Sequence, residues 1–333
     1  MPAKRIVVIG ASSGGIEALR VIADALPDEF AAPVCVVLHM APDSPGTLVS
    51  VLNSAGRVRA RTAETGMRLE NGCVYLAQPD YHLIVEPGVL RLTRGPRENR
   101  FRPAIDPLFR SAAQVYGPGA IGVVLTGSLD DGTAGLWAIK RLGGIAIAQD
   151  PSDALFPSMP LNATRHVDVD YSVPLVEVVP QLVKLLDRAV EEEPVRIPEA
   201  LEVEMRIARD LNAIDAGLEQ VGEPSPFSCP ECHGVLLRLK EAQPLRFRCH
   251  TGHAYSIESL IAAVNEGIDV SLWTTVRALE EGALLLQHAA SHTGQDAGAR
   301  SVALSKEAAD AHRLAERVRR LATERGALES LSR

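Results

Sequence analysis

Apolar positions along this chain fall into short strand-length runs separated by stretches of helical spacing. Val/Ile-rich runs at 5–9, 34–38, 121–125 and 145–148 have the length of buried strands, and 16–26, 45–54, 107–115 and 133–142 carry apolar residues at helical intervals. Strands alternating with helices in this way predict an α/β fold built on a doubly wound, mostly parallel sheet. Two further runs, 71–76 and 82–92, are separated by turn residues, and Pro87-Gly88 reads as a hairpin turn. A small antiparallel excursion is expected there.

Helical spacing continues over 175–190 and again over about 198–219, and the breaks Glu191-Glu192-Glu193-Pro194 and Gly222-Glu223-Pro224-Ser225-Pro226 mark a boundary. The stretches 256–291 and 298–331 are rich in Ala, Leu, Glu and Arg and predict an α-helical hairpin. One side of it is expected to carry Leu260, Val264, Val270, Trp273 and Val276, with Leu284 to Leu286 further on. The expected division is an α/β domain over 1–192, a helical linker over 193–226, a cysteine-bearing module over 227–256 and the helical hairpin over 257–333.

Composition narrows the classes. The 333 residues are 46% hydrophobic, enough to bury a full core. A net charge of −8 argues against a nucleic-acid binder held by phosphate neutralisation. No apolar run reaches the length of a membrane span, and Met1-Pro2-Ala3-Lys4-Arg5 leads into a strand without a signal-peptide layout, so a cytoplasmic protein without membrane insertion is expected. Cys35 and Cys73 stand apart in strand-like runs and read as buried thiols.

In an open α/β sheet, ligands gather beyond the carboxyl ends of the strands, near the point where strand order reverses. Three polar positions follow apolar runs directly: Ser12 after Ile6 to Ile9, His39 after Val34 to Leu38, and Asp130-Asp131 after Ile121 to Gly127. Gly10, Ser12 and Gly14 fit G-x-S-x-G, whose glycines permit a tight strand-to-helix turn with an exposed hydroxyl. Serine, histidine and aspartate on one rim are the parts of a nucleophile, a base and its orienting acid. His39 would take the Ser12 proton while Asp131 fixes the imidazole tautomer. Asp130 reads instead as a turn or cap residue before the helix near Thr133, and His82 as a hydrogen-bonded residue of the β-excursion. The glycine-rich turn also resembles that of a dinucleotide-binding dehydrogenase. However, the second strand ends in His39 rather than an acid, and no tyrosine has a lysine four places on.

Taken in order, Gly10-Ala11-Ser12-Ser13-Gly14-Gly15, His39-Met40, Arg102-Pro103 with Asp106, Leu125-Thr126-Gly127 through Asp130-Asp131-Gly132, and Ser158-Met159-Pro160 resemble the catalytic domain of CheB-type protein-glutamate methylesterases. The resemblance spans about residues 4–185. It implies Ser12 as nucleophile, His39 as base and Asp131 as the acid. It also implies hydrolysis of glutamyl methyl esters on chemoreceptor-type signalling proteins, with deamidation of glutamines in many members. The backbone N–H groups of Ser13 and Ser128 would hold the oxyanion. The family usually has methionine at the place of Ser128, a swap that leaves the backbone donor intact. No cofactor is implied for catalysis. Many members carry a receiver domain ahead of the catalytic strand, whereas this chain starts at that strand. Control by phosphorylation in cis is therefore not expected, which leaves either a constitutively open enzyme or regulation by another module or by a partner in trans.

The remaining cysteines form a pattern of their own. Cys229-Pro230-Glu231-Cys232 and Cys249-His250-Thr251-Gly252-His253 flank two strand-like runs, Val235 to Leu239 and Leu245 to Arg248, the layout of a zinc ribbon. Cys229, Cys232, Cys249 and His253 are the expected ligands of a structural zinc, with His250 and His233 as rivals for the fourth place. The competing reading of the whole chain is a catalytically weak signalling adaptor that binds a receptor or kinase through the cleft or the C-terminal module.

Overall fold

A computed structural model describes residues 4–56, 59–190, 196–209, 212–240, 243–292 and 298–331. The chain divides into two compact units, Met1–Leu260 and Ile261–Arg333.

The first unit opens with β1 (Ile6–Ala11), α1 (Gly15–Ala25), β2 (Val34–Leu38), α2 (Leu48–Ala55), β3 (Arg59–Thr62) and β4 (Cys73–Leu76). A hairpin of β5 (His82–Glu86) and β6 (Val89–Thr93) leads to α3 (Ile105–Tyr116). The order continues with β7 (Ala120–Val124), α4 (Thr133–Arg141), β8 (Ile145–Gln149), α5 (Ser158–His166), β9 (Tyr171–Val173) and α6 (Leu175–Leu186). The main sheet has seven parallel strands in the order β3-β4-β2-β1-β7-β8-β9. The chain runs outward from β1 through β2 to one edge, then returns to β7 on the other side of β1. This places the reversal of strand order at the carboxyl ends of β1 and β7, where such sheets hold their ligands.

The interior strands β1, β2, β4, β7 and β8 are buried on both faces, which is why they read as continuous apolar runs. On β1, Val7, Ile9 and Ala11 pack with α1, α2 and α6, while Ile6 and Val8 face the layer of α3, α4, α5 and the β5–β6 hairpin. The antiparallel excursion is the β5–β6 hairpin alone, turning at Gly88 with φ 77°. Cys73–Leu76, grouped with it by sequence, is instead an interior strand of the parallel sheet; all four residues are buried between β3 and β2. The edge strand β3, Arg-Ala-Arg-Thr, has a single buried residue and so gave no apolar run to find.

Beyond α6 come α7 (Glu199–Ala208) and α8 (Leu218–Val221), then β10 (Gly222–Ser228), β11 (Val235–Leu239), β12 (Arg246–Cys249) and β13 (Ala254–Ser256). These last four form an antiparallel sheet in chain order. The proline-rich stretch expected as a break is β10 itself. Pro224 and Pro226 are accommodated because β10 is an edge strand with a register irregularity between Pro224 and Ser228.

The segment from α9 (Ile257–Ser291) through α10 (Gly298–Leu331) supplies the second unit from Ile261 onward. Residues 293–297, between the two helices, lie outside the described residues. The apolar stripe is not continuous: Leu260 and Val276 are buried, but Val264, Val270, Trp273, Leu284 and Leu285 are exposed. The buried positions are small and spaced by seven, Val276, Ala283 and Ala290 on α9 and Ala308, Ala315 and Ala322 on α10. The Ser301 hydroxyl donates to the Ala290 carbonyl at 2.9 Å, and Arg325 donates to Asn265 at 2.7 Å, consistent with antiparallel helices.

Candidate active site

Ser12 sits one residue past β1, in a turn that ends at the first residue of α1. Gly14 caps that helix at φ 73°, a left-handed conformation that side chains rarely adopt. The Ser12 N–H donates to the Thr126 carbonyl at 3.0 Å, and the Thr126 hydroxyl donates to the Ser13 carbonyl at 3.0 Å, tying the turn to the end of β7. Gly127 must be glycine: a Cβ there would stand 2.8 Å from the Ser12 Cβ and collide with the Met159 sulfur. His39 continues β2, its N–H bonded to the Ala11 carbonyl at 3.1 Å.

These three loop ends bring Ser12, His39 and Asp131 into one line. The Ser12 hydroxyl lies 3.1 Å from His39 Nδ1, and His39 Nε2 lies 2.7 Å from Asp131 Oδ2. The neutral tautomer that satisfies both contacts carries its proton on Nε2, donates it to the carboxylate and leaves Nδ1 free to accept from the serine. The imidazole is 3% exposed and lies flat against Phe101, ring centroids 3.7 Å apart and planes within 8°.

Asp131 is held on both oxygens. Oδ2 accepts the Ile105 N–H at 2.7 Å as well as His39; Oδ1 accepts Asn99 Nδ2 at 2.8 Å and the Gly132 N–H at 3.0 Å. Burial pushes this carboxyl up, but the bonds from His39, Ile105 and Asn99 outweigh it and hold Asp131 below the usual carboxylate range. Asp106 lies alongside, accepting Gly132 and Gly135 N–H groups at 3.1 and 2.7 Å. Burial and the adjacent Asp131 push Asp106 up to about 6 in spite of Arg246.

Ser13 and Ser128 flank the opening, their hydroxyls 3.4 Å apart. Among the described residues, neither N–H takes part in the turn and loop hydrogen bonds. Asp130 opens the turn before α4, its carbonyl accepting the Thr133 N–H at 3.0 Å, but Gly132 is the cap residue, and the Asp130 carboxylate accepts the Ser256 hydroxyl at 2.7 Å. His82 is buried in β5, donating from Nε2 to the Pro96 carbonyl at 3.0 Å and accepting the Ala104 N–H at 3.2 Å.

Cys229, Cys232, Cys249 and His253 converge, with their ligand atoms all within 4.8 Å of one another. Cys232 and Cys249 sulfurs are 3.6 Å apart, and His253 Nδ1 is 3.6 Å from Cys249 and 3.7 Å from Cys229. Zn–S bonds of about 2.3 Å would set tetrahedral sulfurs about 3.8 Å apart, so the donor set fits that ion. Glu231 lies 3.3 Å from His253 Nε2, the second-layer partner that a ligating histidine commonly has. His250 and His233 lie outside this group.

Sequence reasoning passed over Asn99 and Phe101 and gave Asp106 no role beyond its place in a motif. Their only local signal is backbone: Asn99 and Arg100 have φ of 49° and 76°, which no apolar pattern reveals.

A family model described as CheB methylesterase matches residues 7–182. The chain belongs to the CheB methylesterase family. A Leptospira interrogans relative is 38% identical over 180 residues, 54% of this chain and 93% of its own length. Relatives named protein-glutamate methylesterase/protein-glutamine glutaminase occur in Methanosarcina mazei, 36% identical over 191 residues, and Pyrococcus horikoshii, 37% identical over 191 residues. In both pairs this chain spans about half of the relative, 52% of its length. The solved catalytic domain of Thermotoga maritima CheB methylesterase is similar at a TM-score of 0.53 and 35% identity, covering 54% of this chain and 98% of that one. The family match ends before the four-stranded C-terminal sheet.

Proposed function

We propose that this protein is a serine hydrolase that removes methyl esters from glutamyl side chains of chemoreceptor-type signalling proteins and deamidates glutamines through the same acyl-enzyme. The observation that carries the reading is the hydrogen-bonded line Ser12, His39, Asp131, with both contacts at 3.1 Å or less. His39 Nδ1 takes the Ser12 proton as Oγ attacks the ester carbonyl, and Asp131 stabilises the imidazolium that forms. The N–H groups of Ser13 and Ser128 bind the oxyanion, aided by the N-terminus of α1. Collapse expels methanol, which takes the proton from His39, or ammonia from an amide. Water activated by the same imidazole then hydrolyses the acyl-enzyme to glutamate. An adaptor would require none of these three residue types in this geometry.

The Cys229, Cys232, Cys249 and His253 centre is assigned a structural zinc, a closed four-ligand set with no position open for substrate. The functional division assigned here is catalysis in residues 1–192, a link that ends where β10 begins at 222, a ribbon over 222–256 that includes β10, and the helical hairpin from 257.

Methanol release from membranes bearing methylated receptors tests the reading. Wild type should release methanol, and Ser12→Ala should lose turnover by at least 10³-fold while keeping its melting temperature, on the scale seen for serine triads. Equal release by the two would remove Ser12 as nucleophile.

A further inference from the structure

Behind the triad lies a buried set of charges drawn from distant parts of the chain. Glu98, Asp106 and Glu204 meet Arg110 of α3 and Arg246 and Arg248 of β12, and none of the six side chains is more than 9% exposed. Arg246 donates to Asp106 at 2.6 Å and to Glu98 at 2.9 Å; Arg248 donates to Glu98 at 2.9 Å and to Glu204 at 3.0 Å. Three carboxylates are thus balanced by three guanidiniums, two of which come from the C-terminal sheet, beyond the family match.

A second link from that segment reaches the triad itself. The Ser256 N–H donates to Asn99 Oδ1 at 3.0 Å, and the Ser259 hydroxyl donates to the same oxygen at 3.2 Å. On its other side the Asn99 amide donates to Asp131 at 2.8 Å and to Asp106 at 2.9 Å. The Asn99 backbone is fixed as well, its N–H bonded to the Ala254 carbonyl at 2.8 Å.

We propose that Asn99 is a positioning residue for the triad, and that β13 and the first turn of α9 set the sense of its amide, so that hydrolysis depends on the C-terminal sheet in cis. This rests on the serine-hydrolase reading above. An asparagine amide is nearly symmetric in shape, and the groups around it decide which end is which. Turned over, Asn99 would press its carbonyl oxygen against two carboxylates and its NH2 against the Ser256 N–H. In the observed sense, two donors from the C-terminal segment fix the oxygen, leaving both amide hydrogens for Asp106 and Asp131. Asp131 is then held on both oxygens, and with it the tautomer and plane of His39. Arg246 supports the same corner by pairing with Asp106, whose other oxygen anchors the Gly132 and Gly135 N–H groups.

The test uses the full chain, a fluorophosphonate that reacts with an activated serine, the downfield proton resonance of His39 Nε2–H, and thermal melting. Ser259→Ala removes one of two donors to Asn99 and should slow Ser12 labelling about threefold to tenfold, the size of one net hydrogen bond, and shift the His39 resonance. Asn99→Asp should slow labelling on the order of 100-fold near neutral pH, with partial recovery as pH falls, because a protonated carboxyl at position 99 regains one donor. Unchanged labelling and an unmoved His39 resonance in both folded variants would overturn the inference. So would rate losses that track melting temperature alone, with an unaltered pH profile. Wild type that melts normally but leaves Ser12 unlabelled would overturn the hydrolase reading, and this inference with it.

Discussion

Asp130 and Asp131 are adjacent in sequence and opposite in electrostatics. Asp131 is held low by the donors gathered on it, whereas burial, reinforced by Glu258, Asp106 and Asp131, pushes Asp130 up to about 8 against the opposing Ser256 hydroxyl. A carboxyl raised in the fold stabilises it fully only below its unfolded value near 4, and that contribution is lost as pH rises through about 8. Asp130→Asn stays uncharged and keeps an oxygen for Ser256. The variant should therefore match wild type near pH 4, gain melting temperature over it increasingly as pH rises from there to about 8, and hold a constant advantage above that. Parallel melting curves across that range would mean that Asp130 titrates normally. The sequence offered both aspartates beside the glycine of the turn. Only their neighbours distinguish a carboxylate that orients His39 from one that pairs with Ser256.

At the scale of elements, β12 does more than complete a hairpin. Arg246 and Arg248 lie two apart, so they share one face of the strand, and that face meets Glu98 and Glu204 in the buried charge set. Removing one partner of such a set leaves uncompensated charge in the interior, a loss of about 3–5 kcal/mol. Arg246→Met should lower stability to urea by that order, and should lower labelling of Ser12 more than Arg238→Met, whose guanidinium is half exposed and paired with Glu223 at the surface. A cost for Arg246→Met no larger than that for Arg238→Met would show that the C-terminal sheet carries its charges independently of the α/β core. The hairpin itself was legible from its apolar runs; its charged face was not, because Arg246 stands 140 residues from Asp106 and 148 from Glu98.

For the whole molecule, the C-terminal sheet contributes little to the apolar clusters, sharing a small one with α7 and α8, and meets the α/β layers through the charges and hydrogen bonds of Arg246, Arg248 and Ser256, conditions under which a bound metal contributes directly to folding. Chelation should release close to one zinc per chain and lower the melting temperature, with Cys232→Ser behaving as the chelated wild type does. An unchanged melting temperature after full metal loss would show that the cysteine cluster folds unaided. By itself the sequence determined the alternation of strands and helices, the placement of Ser12, His39 and Asp131 on one rim, and the grouping of Cys229, Cys232, Cys249 and His253. Each of these follows from local periodicity, turn chemistry or short spacing. Tertiary structure alone decided that Cys73–Leu76 joins the parallel sheet, that Asn99 bridges two carboxylates, and that β12, β13 and the start of α9 close the back of the site. Those outcomes depend on pairing partners far apart in sequence, and a buried charge or amide declares its partner only once the chain has brought the two together.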